Sequence, residues 1–97
     1  FYARLLRRLA PGGALVTQAG SPYYTRESYW CVVATLRAAG LRPVPYRVNV
    51  PAFGEWGFVL AARAPTDWDA LRLDLPRRWL QPEILRGATR FDADTAE

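Results

Sequence analysis

The sequence predicts an α/β fold with a small mixed sheet. Two segments have the apolar spacing of amphipathic helices, and three short segments are rich in the Val, Leu, Tyr and Phe typical of strands. Their order is helix, strand, helix, strand, strand. A right-handed crossover makes the first two strands parallel, as neighbours or near neighbours, and a reversed third strand completes the mixed sheet.

Both helices are predicted from their apolar stripes and their ends. Apolar residues at positions 2, 5, 6 and 9 oppose arginines at 4, 7 and 8, and Pro11 stops this first helix. The second helix is expected to begin at Ser21 or Thr25, since either hydroxyl can cap it, and to end at Gly40. Positions 29, 32, 33 and 36 form its apolar stripe. Cys31 lies within this pattern and is predicted to be a buried, unreactive side chain.

The strands are predicted at ALVTQAG, PVPYRVNV and WGFVLAAR. Too few residues separate the last two for a crossover helix, so these two should pair antiparallel. Beyond Arg63 the pattern weakens, with short helices expected near Thr66 and near Gln81, and with FDADTAE as a loose tail. The chain is thus interpreted as a folded part, residues 1–63, and a tail with short helices, residues 64–97.

Composition excludes several classes of site. The chain has one cysteine and no histidine, so it cannot form a disulfide framework, a zinc cluster or a histidine-based triad by itself. The arginines at 4, 7 and 8 and the pair Arg77 and Arg78 are clustered, but acidic residues are interspersed later, which favours solvated helix faces over a nucleic-acid patch. No apolar run reaches the about 18 residues of a membrane span. A chain that begins at Phe1 and lacks methionine is interpreted as a piece of a longer product.

The connection between the last two strands is unusual for a hairpin. The stretch VPAFGEWGFVLAAR carries Pro51, Phe53, Glu55 and Trp56 where small polar residues are common. Two aromatic rings and a carboxylate suit the binding of a cation, because ring faces attract positive charge. Core packing of Trp56 and a solvent-facing Glu55 are the ordinary alternatives, and the residues alone leave both interpretations open.

The succession LLRRLAPGGALVTQAGSPYY, a helix, and YRVNVPAFGEWGFVLA resembles the C-terminal part of a spermidine synthase, a polyamine aminopropyltransferase. The resemblance is closest to bacterial forms whose catalytic domain follows a membrane-spanning region. It covers residues 1–63, and LQPEIL extends it weakly. It implies the C-terminal portion of a methyltransferase-like Rossmann fold, whose sheet ends in a reversed hairpin, and a cytoplasmic site in a protein anchored to the bacterial inner membrane.

The resemblance also implies a reaction and its site residues. Family members transfer an aminopropyl group from the co-substrate decarboxylated S-adenosylmethionine to putrescine, and a carboxylate takes the proton of the attacking amine. Gln18 matches a family Gln at the diamine end, Phe53 stands where many members have Tyr, and Trp56 matches an apolar or Trp position. Glu55 is the candidate partner of a substrate ammonium.

The family's Asp-rich catalytic loop and Gly-rich nucleotide loop have no match in this sequence. We therefore assign no catalytic residue and expect the segment alone to be inactive, without a metal or a resident cofactor. Two alternatives stay open: the equivalent half of an S-adenosylmethionine-dependent methyltransferase, and a non-enzymatic interaction module. An unpaired sheet edge further predicts self-association or a homodimer, with no nucleic-acid partner.

Overall fold

The computed structural model describes residues 1–72, 76 and 78–97. Arg77, one of the arginines noted above, lies outside the described residues. The elements are listed here in chain order: α1 (Tyr2–Arg8), β1 (Ala14–Gly20), α2 (Arg26–Ala38), β2 (Arg42–Val50), β3 (Gly54–Ala62), a 3-10 turn (Trp68–Ala70) and α3 (Pro82–Gly87). The predicted order of helices and strands is confirmed. Within the described ranges, every helix is too short or too polar to cross a lipid bilayer.

The sheet has the order β1, β3, β2, and β3 runs antiparallel to both of its neighbours. β1 and β2 therefore run parallel as near neighbours, as the crossover predicts. No parallel pair is hydrogen-bonded in the described part of the chain, so the prediction of a mixed sheet is wrong. The reason is that β3 lies between β1 and β2 and pairs with both, so the two parallel strands are not hydrogen-bonded neighbours.

One face of the sheet is covered by α2. Tyr29, Val33 and Leu36 are fully buried, and they form one cluster with Val59 and Ala61 of β3. Spacings of four and three residues place these α2 side chains on one side of the helix. Each fully buried side chain of this size contributes about 1.5–3 kcal/mol relative to exposure. This layer is the core that fixes the position of β3.

Cys31 lies outside that core. Its side chain is exposed and its thiol is free. It lies two positions after the buried Tyr29, so the two side chains are about 200° apart around the helix axis. The prediction of a buried cysteine is therefore wrong, because an apolar run was taken for an apolar face.

Tyr29 packs directly on the backbone of β3. A Cβ atom at Gly57 would lie 2.3 Å from Tyr29 Cε2, so only glycine fits under the ring. The Tyr29 hydroxyl lies 3.0 Å from the carbonyl oxygen of Phe58 and 3.2 Å from that of Tyr46. Burial raises the pKa of Tyr29 well above its ordinary value, so the phenol stays a neutral donor. One side chain thus ties α2 to two strands.

The start of α2 uses both residues that the sequence offered as caps. Thr25 occupies the N-cap position, and its hydroxyl donates to the Ser21 carbonyl rather than capping the helix by its side chain. The Ser21 hydroxyl accepts hydrogen bonds from the backbone amides of Tyr23 and Tyr24, at 3.2 and 3.1 Å. Ser21 therefore stabilises the turn that precedes the helix.

The last seven residues, expected to be loose, lie against α2. The Phe91 ring packs edge-on against Trp30, with centroids 5.2 Å apart, and is 6.1 Å from the Tyr29 ring. Trp30 Nε1 donates to the carbonyl oxygen of Thr95 at 2.8 Å. Thr95 is only 2% exposed. Aromatic contacts, this indole hydrogen bond and a hydrogen bond from Arg26 Nε to the Ala96 carbonyl hold the segment in place, which its polar composition did not indicate.

Candidate functional site

A shallow groove lies at one end of the sheet. Because β1 and β2 run parallel, their last residues fall at the same end, and the connection formed by residues 51–53 projects from it. The groove has a volume of about 290 Å³ and is lined by Gln18, Val50, Phe53, Trp56 and Phe58. The structure therefore brings together three of the four predicted site residues.

Strand alternation explains why these side chains meet. Gln18 pairs with Phe58 in the register of β1 and β3, and Trp56 lies two residues before Phe58 on β3. Residues two apart on a strand point to the same face, here the face away from α2. Trp56 and Phe58 are half-buried, whereas Gln18 is exposed. The groove thus has an aromatic floor and one amide at its β1 side.

The Phe53 ring stands at the rim of the groove. It is 68% exposed, and its ring meets that of Trp56 edge-on, with centroids 6.3 Å apart at an interplanar angle of 89°. Neither ring of this pair belongs to the buried core. Phe53 therefore lies at the surface beside the groove and not in the packed core.

The backbone of the connection has two left-handed residues. Ala52 has a φ of 74° and Gly54 a φ of 82°. For a residue with a Cβ atom this conformation costs roughly 1–2 kcal/mol, so the surroundings must impose it on Ala52. The amide of Phe53 donates to the Val50 carbonyl at 3.0 Å, and the Tyr24 ring lies beside Gly54. These contacts hold the connection in one shape.

Glu55 does not face the groove. It precedes Trp56 on β3, so its side chain points to the opposite face, where its Oε1 accepts a hydrogen bond from Arg47 Nη1 at 2.5 Å. Both partners keep less than a third of their side-chain exposure. The structure therefore places Glu55 outside the groove, and its carboxylate is paired with Arg47 rather than facing solvent.

Arg47 is a structurally central residue that the sequence interpretation missed. Its backbone amide donates to the Ala88 carbonyl at 2.9 Å, its Nε donates to the Arg90 carbonyl at 2.8 Å, and its guanidinium lies 5.9 Å from the centre of the Phe91 ring. The signal was available in the hairpin register. Asn49 pairs with Glu55, so Arg47 is a diagonal neighbour of Glu55 on the same face.

A second, larger cavity of about 460 Å³ lies beside the groove on the same face. Tyr46, Val48, Trp68, Trp79 and Leu85 contribute to its wall, which joins β2 to α3. Tyr46 stacks on Phe58 at 5.5 Å, and burial raises the pKa of Tyr46. Because much of this wall comes from the predicted tail, the sequence interpretation did not anticipate the cavity.

Comparison with known proteins supports the resemblance first noted in the strand and hairpin motifs. The chain is 47% identical over 98 residues to a polyamine aminopropyltransferase of Mycobacterium tuberculosis (strain CDC 1551 / Oshkosh), a match that covers 97% of this chain. It is 48% identical over 96 residues to polyamine aminopropyltransferase 2 of Ralstonia nicotianae, and 36% identical over 94 residues to a polyamine aminopropyltransferase of Oceanobacillus iheyensis.

The chain belongs to the polyamine aminopropyltransferase family and corresponds to one segment of its relatives. It spans about 18% of the length of the Mycobacterium tuberculosis relative and 17% of that of the Ralstonia nicotianae relative. No protein-family model matches the chain. In this aminopropyltransferase segment, the groove is formed by the two motifs that carried the resemblance, the end of the ALVTQAG strand and the PAFGEWGF hairpin.

Proposed function

We propose that this chain forms part of the acceptor-amine site of a polyamine aminopropyltransferase. The enzyme would transfer an aminopropyl group from decarboxylated S-adenosylmethionine to putrescine or a related diamine. One observation carries the proposal, namely that Gln18, Phe53 and Trp56 line a single groove at the end of the sheet where β1 and β2 finish.

The groove suits the two chemical parts of a diamine. The aromatic floor offers apolar contact to the methylene chain, and a ring face attracts an ammonium with about 0.5 to 2 kcal/mol, depending on desolvation. The Gln18 side-chain oxygen accepts hydrogen bonds, so it can hold an ammonium at the β1 side. A volume of about 290 Å³ is at the lower limit of small-molecule sites and fits a short, linear ligand.

The reaction needs a group that the groove lining lacks. The amine nitrogen attacks the methylene next to the sulfonium, the new C–N bond forms as the C–S bond breaks, and methylthioadenosine leaves. A base must take the proton of the amine. No carboxylate lines the groove in the described part of the chain. We therefore assign to this chain the binding and orientation of the acceptor, and the base to the Asp-rich loop of the family, which has no match here.

The topology supports a wider proposal about the fold. Two parallel strands with a reversed strand between them agree with the C-terminal portion of a methyltransferase-like Rossmann fold. In open α/β sheets, ligands bind outside the carboxyl ends of the parallel strands, which is where the groove lies. The outer edge of β1 has no partner among the described residues, which leaves a place for a further strand.

The test uses the full-length product of the gene. We expect putrescine to stimulate release of methylthioadenosine from decarboxylated S-adenosylmethionine, and Gln18→Ala to weaken putrescine binding about tenfold, because a hydrogen bond to a charged group is lost. Leu5→Ala, which truncates an exposed residue of α1 outside the groove, is the matched control. A full-length protein that releases no methylthioadenosine with any diamine contradicts the proposal.

A further inference from the structure

Arg47 connects the C-terminal residues to the start of β3. Its main-chain amide and its Nε bind the carbonyl oxygens of Ala88 and Arg90, and its Nη1 binds Glu55. Phe91, which lies near the same guanidinium, is in turn packed against Trp30 of α2. A continuous line of contacts therefore runs from the end of the chain, through one side chain, to the residue next to Trp56.

Glu55 depends on Arg47 for its place. The Arg47 and Glu55 side chains retain 30% and 24% of their exposure, and Glu55 Oε2 is buried without a hydrogen-bond partner among the described residues. At such burial, water screens the charge less than at the surface, and a carboxylate that loses its only cation is strongly disfavoured. Without Arg47, Glu55 would have to turn its carboxylate toward solvent.

The direction of Trp56 follows from that of Glu55. Adjacent side chains on a strand point to opposite faces, so an inward Glu55 on the α2 side places Trp56 in the groove. Gly54, in a left-handed conformation, precedes Glu55 and is the first residue of β3 to pair with β2. The ion pair lies at the second ladder position of β3, where Glu55 pairs with Asn49.

We propose that Arg47 and Glu55 are a positioning pair, through which the C-terminal residues Ala88–Phe91 hold Trp56 and Phe53 in their binding orientation. The identity of the bound ligand rests on the proposed function, whereas the coupling between the C-terminal residues and the hairpin does not. Neither residue touches the ligand; both act through the rings.

The experiment is a double-mutant cycle in the full-length protein. Arg47→Met keeps the apolar stem and removes the donors, Glu55→Gln keeps the shape and removes the charge, and the third variant combines them. Hydrogen exchange of the backbone amides in residues 50–58 reports the hairpin, and calorimetry reports the dissociation constant of putrescine. The control pair is Glu83→Gln and Arg86→Met, which removes a solvent-exposed contact of 3.7 Å in α3.

We expect each single variant to speed hairpin exchange about tenfold and to weaken putrescine binding, with no further effect in the double variant. The control pair should leave both quantities unchanged. Additive effects, or hairpin exchange equal to that of the wild type in Glu55→Gln, overturn the inference. Should Arg47→Met fail to fold, Glu55→Gln together with Phe91→Leu, which removes the ring beside the guanidinium, forms the cycle.

The two proposals fail separately. A wild-type protein that binds no putrescine contradicts the proposed function, while its hairpin exchange still decides the coupling. A merely structural role of the pair would lower the urea midpoint of the whole protein and leave the two substitutions additive in the dissociation constant, which also overturns the inference.

Discussion

The side chains on the two faces of β3 have different surroundings. On the α2 face, Gly57, Val59 and Ala61 are buried under helix side chains, with no space for another atom at Gly57. On the other face, Trp56 and Phe58 are half-buried and border a groove. Alternation along one strand thus places buried side chains on one face and groove-lining side chains on the other.

The largest expected effect is on the packed face. Gly57→Ala would place a Cβ atom 2.3 Å from Tyr29 and 2.7 Å from the Gly20 carbonyl oxygen, so the helix or the strand must move. We expect a loss of about 3 kcal/mol or more in the free energy of unfolding, measured by urea denaturation. Gly87→Ala, which meets no atom within 4 Å, is the control and should be near neutral. Equal stability of the two variants would show that Tyr29 does not fix the strand.

The second prediction concerns the open face at the β1 edge. Val16 is 55% exposed there, and ALVTQAG carries no charge or proline to block pairing with a second chain. We expect the 97-residue chain to self-associate and Val16→Glu to weaken that association about tenfold, as measured by light scattering across a concentration series. Leu5→Glu on α1 serves as the control. A wild-type chain that is monomeric at all concentrations contradicts this expectation.

A smaller effect is expected at the groove rim. Phe53→Leu keeps an apolar side chain but removes the ring face, so putrescine binding to the full-length protein should weaken about three- to tenfold. The urea midpoint should not change, because Phe53 is 68% exposed. Phe53→Tyr, which adds only a hydroxyl, is the matched comparison. A lowered midpoint with unchanged binding would assign Phe53 to packing.

The smallest effect is a pH dependence at the end of the chain. The hydrogen bond from the Thr95 hydroxyl is the main cause that lowers the pKa of Asp92. A lowered pKa in the folded state stabilises the turn above the unfolded pKa of about 3.9, and this stabilisation is lost as the pH falls through the folded value. Tryptophan fluorescence, to which Trp30 contributes, should follow this loss between about pH 5 and pH 2. Asp92→Asn should abolish the transition, and an unaltered transition would assign it to another carboxyl group.

Much of the fold was accessible from local patterns. The apolar stripe at positions 29, 32, 33 and 36 predicted the covered face of α2, with Val32 only partly buried, and the short connection predicted the antiparallel hairpin. The strand order within the sheet was not accessible in this way, because periodicity does not say on which side of β2 a reversed strand lies. The docking of Phe91 and Thr95 on α2 depends on contacts between distant residues, which local composition does not report.

The candidate site was also predicted only in part, because local motifs were visible and contacts between distant residues were not. Gln18, Phe53 and Trp56 meet because the ends of two strands and one turn lie together, and the motifs for all three were visible in the sequence. Glu55 was treated as part of the tip, whereas it is a ladder residue paired with Asn49 and lies outside the groove lining. Counting the register from Val50 and Gly54 would have placed Glu55 beside Arg47.

The three-residue connection after Val50 allows the size of the groove to change independently of the stability of the sheet. The ladder between β2 and β3 closes at Val50 and Gly54, and Phe53 lies beyond it. Inserting residues between these two positions would move Phe53 away from Trp56 and leave every ladder bond in place, at a small entropic cost. A change of loop length alone would therefore alter the reach of the groove and leave the sheet intact.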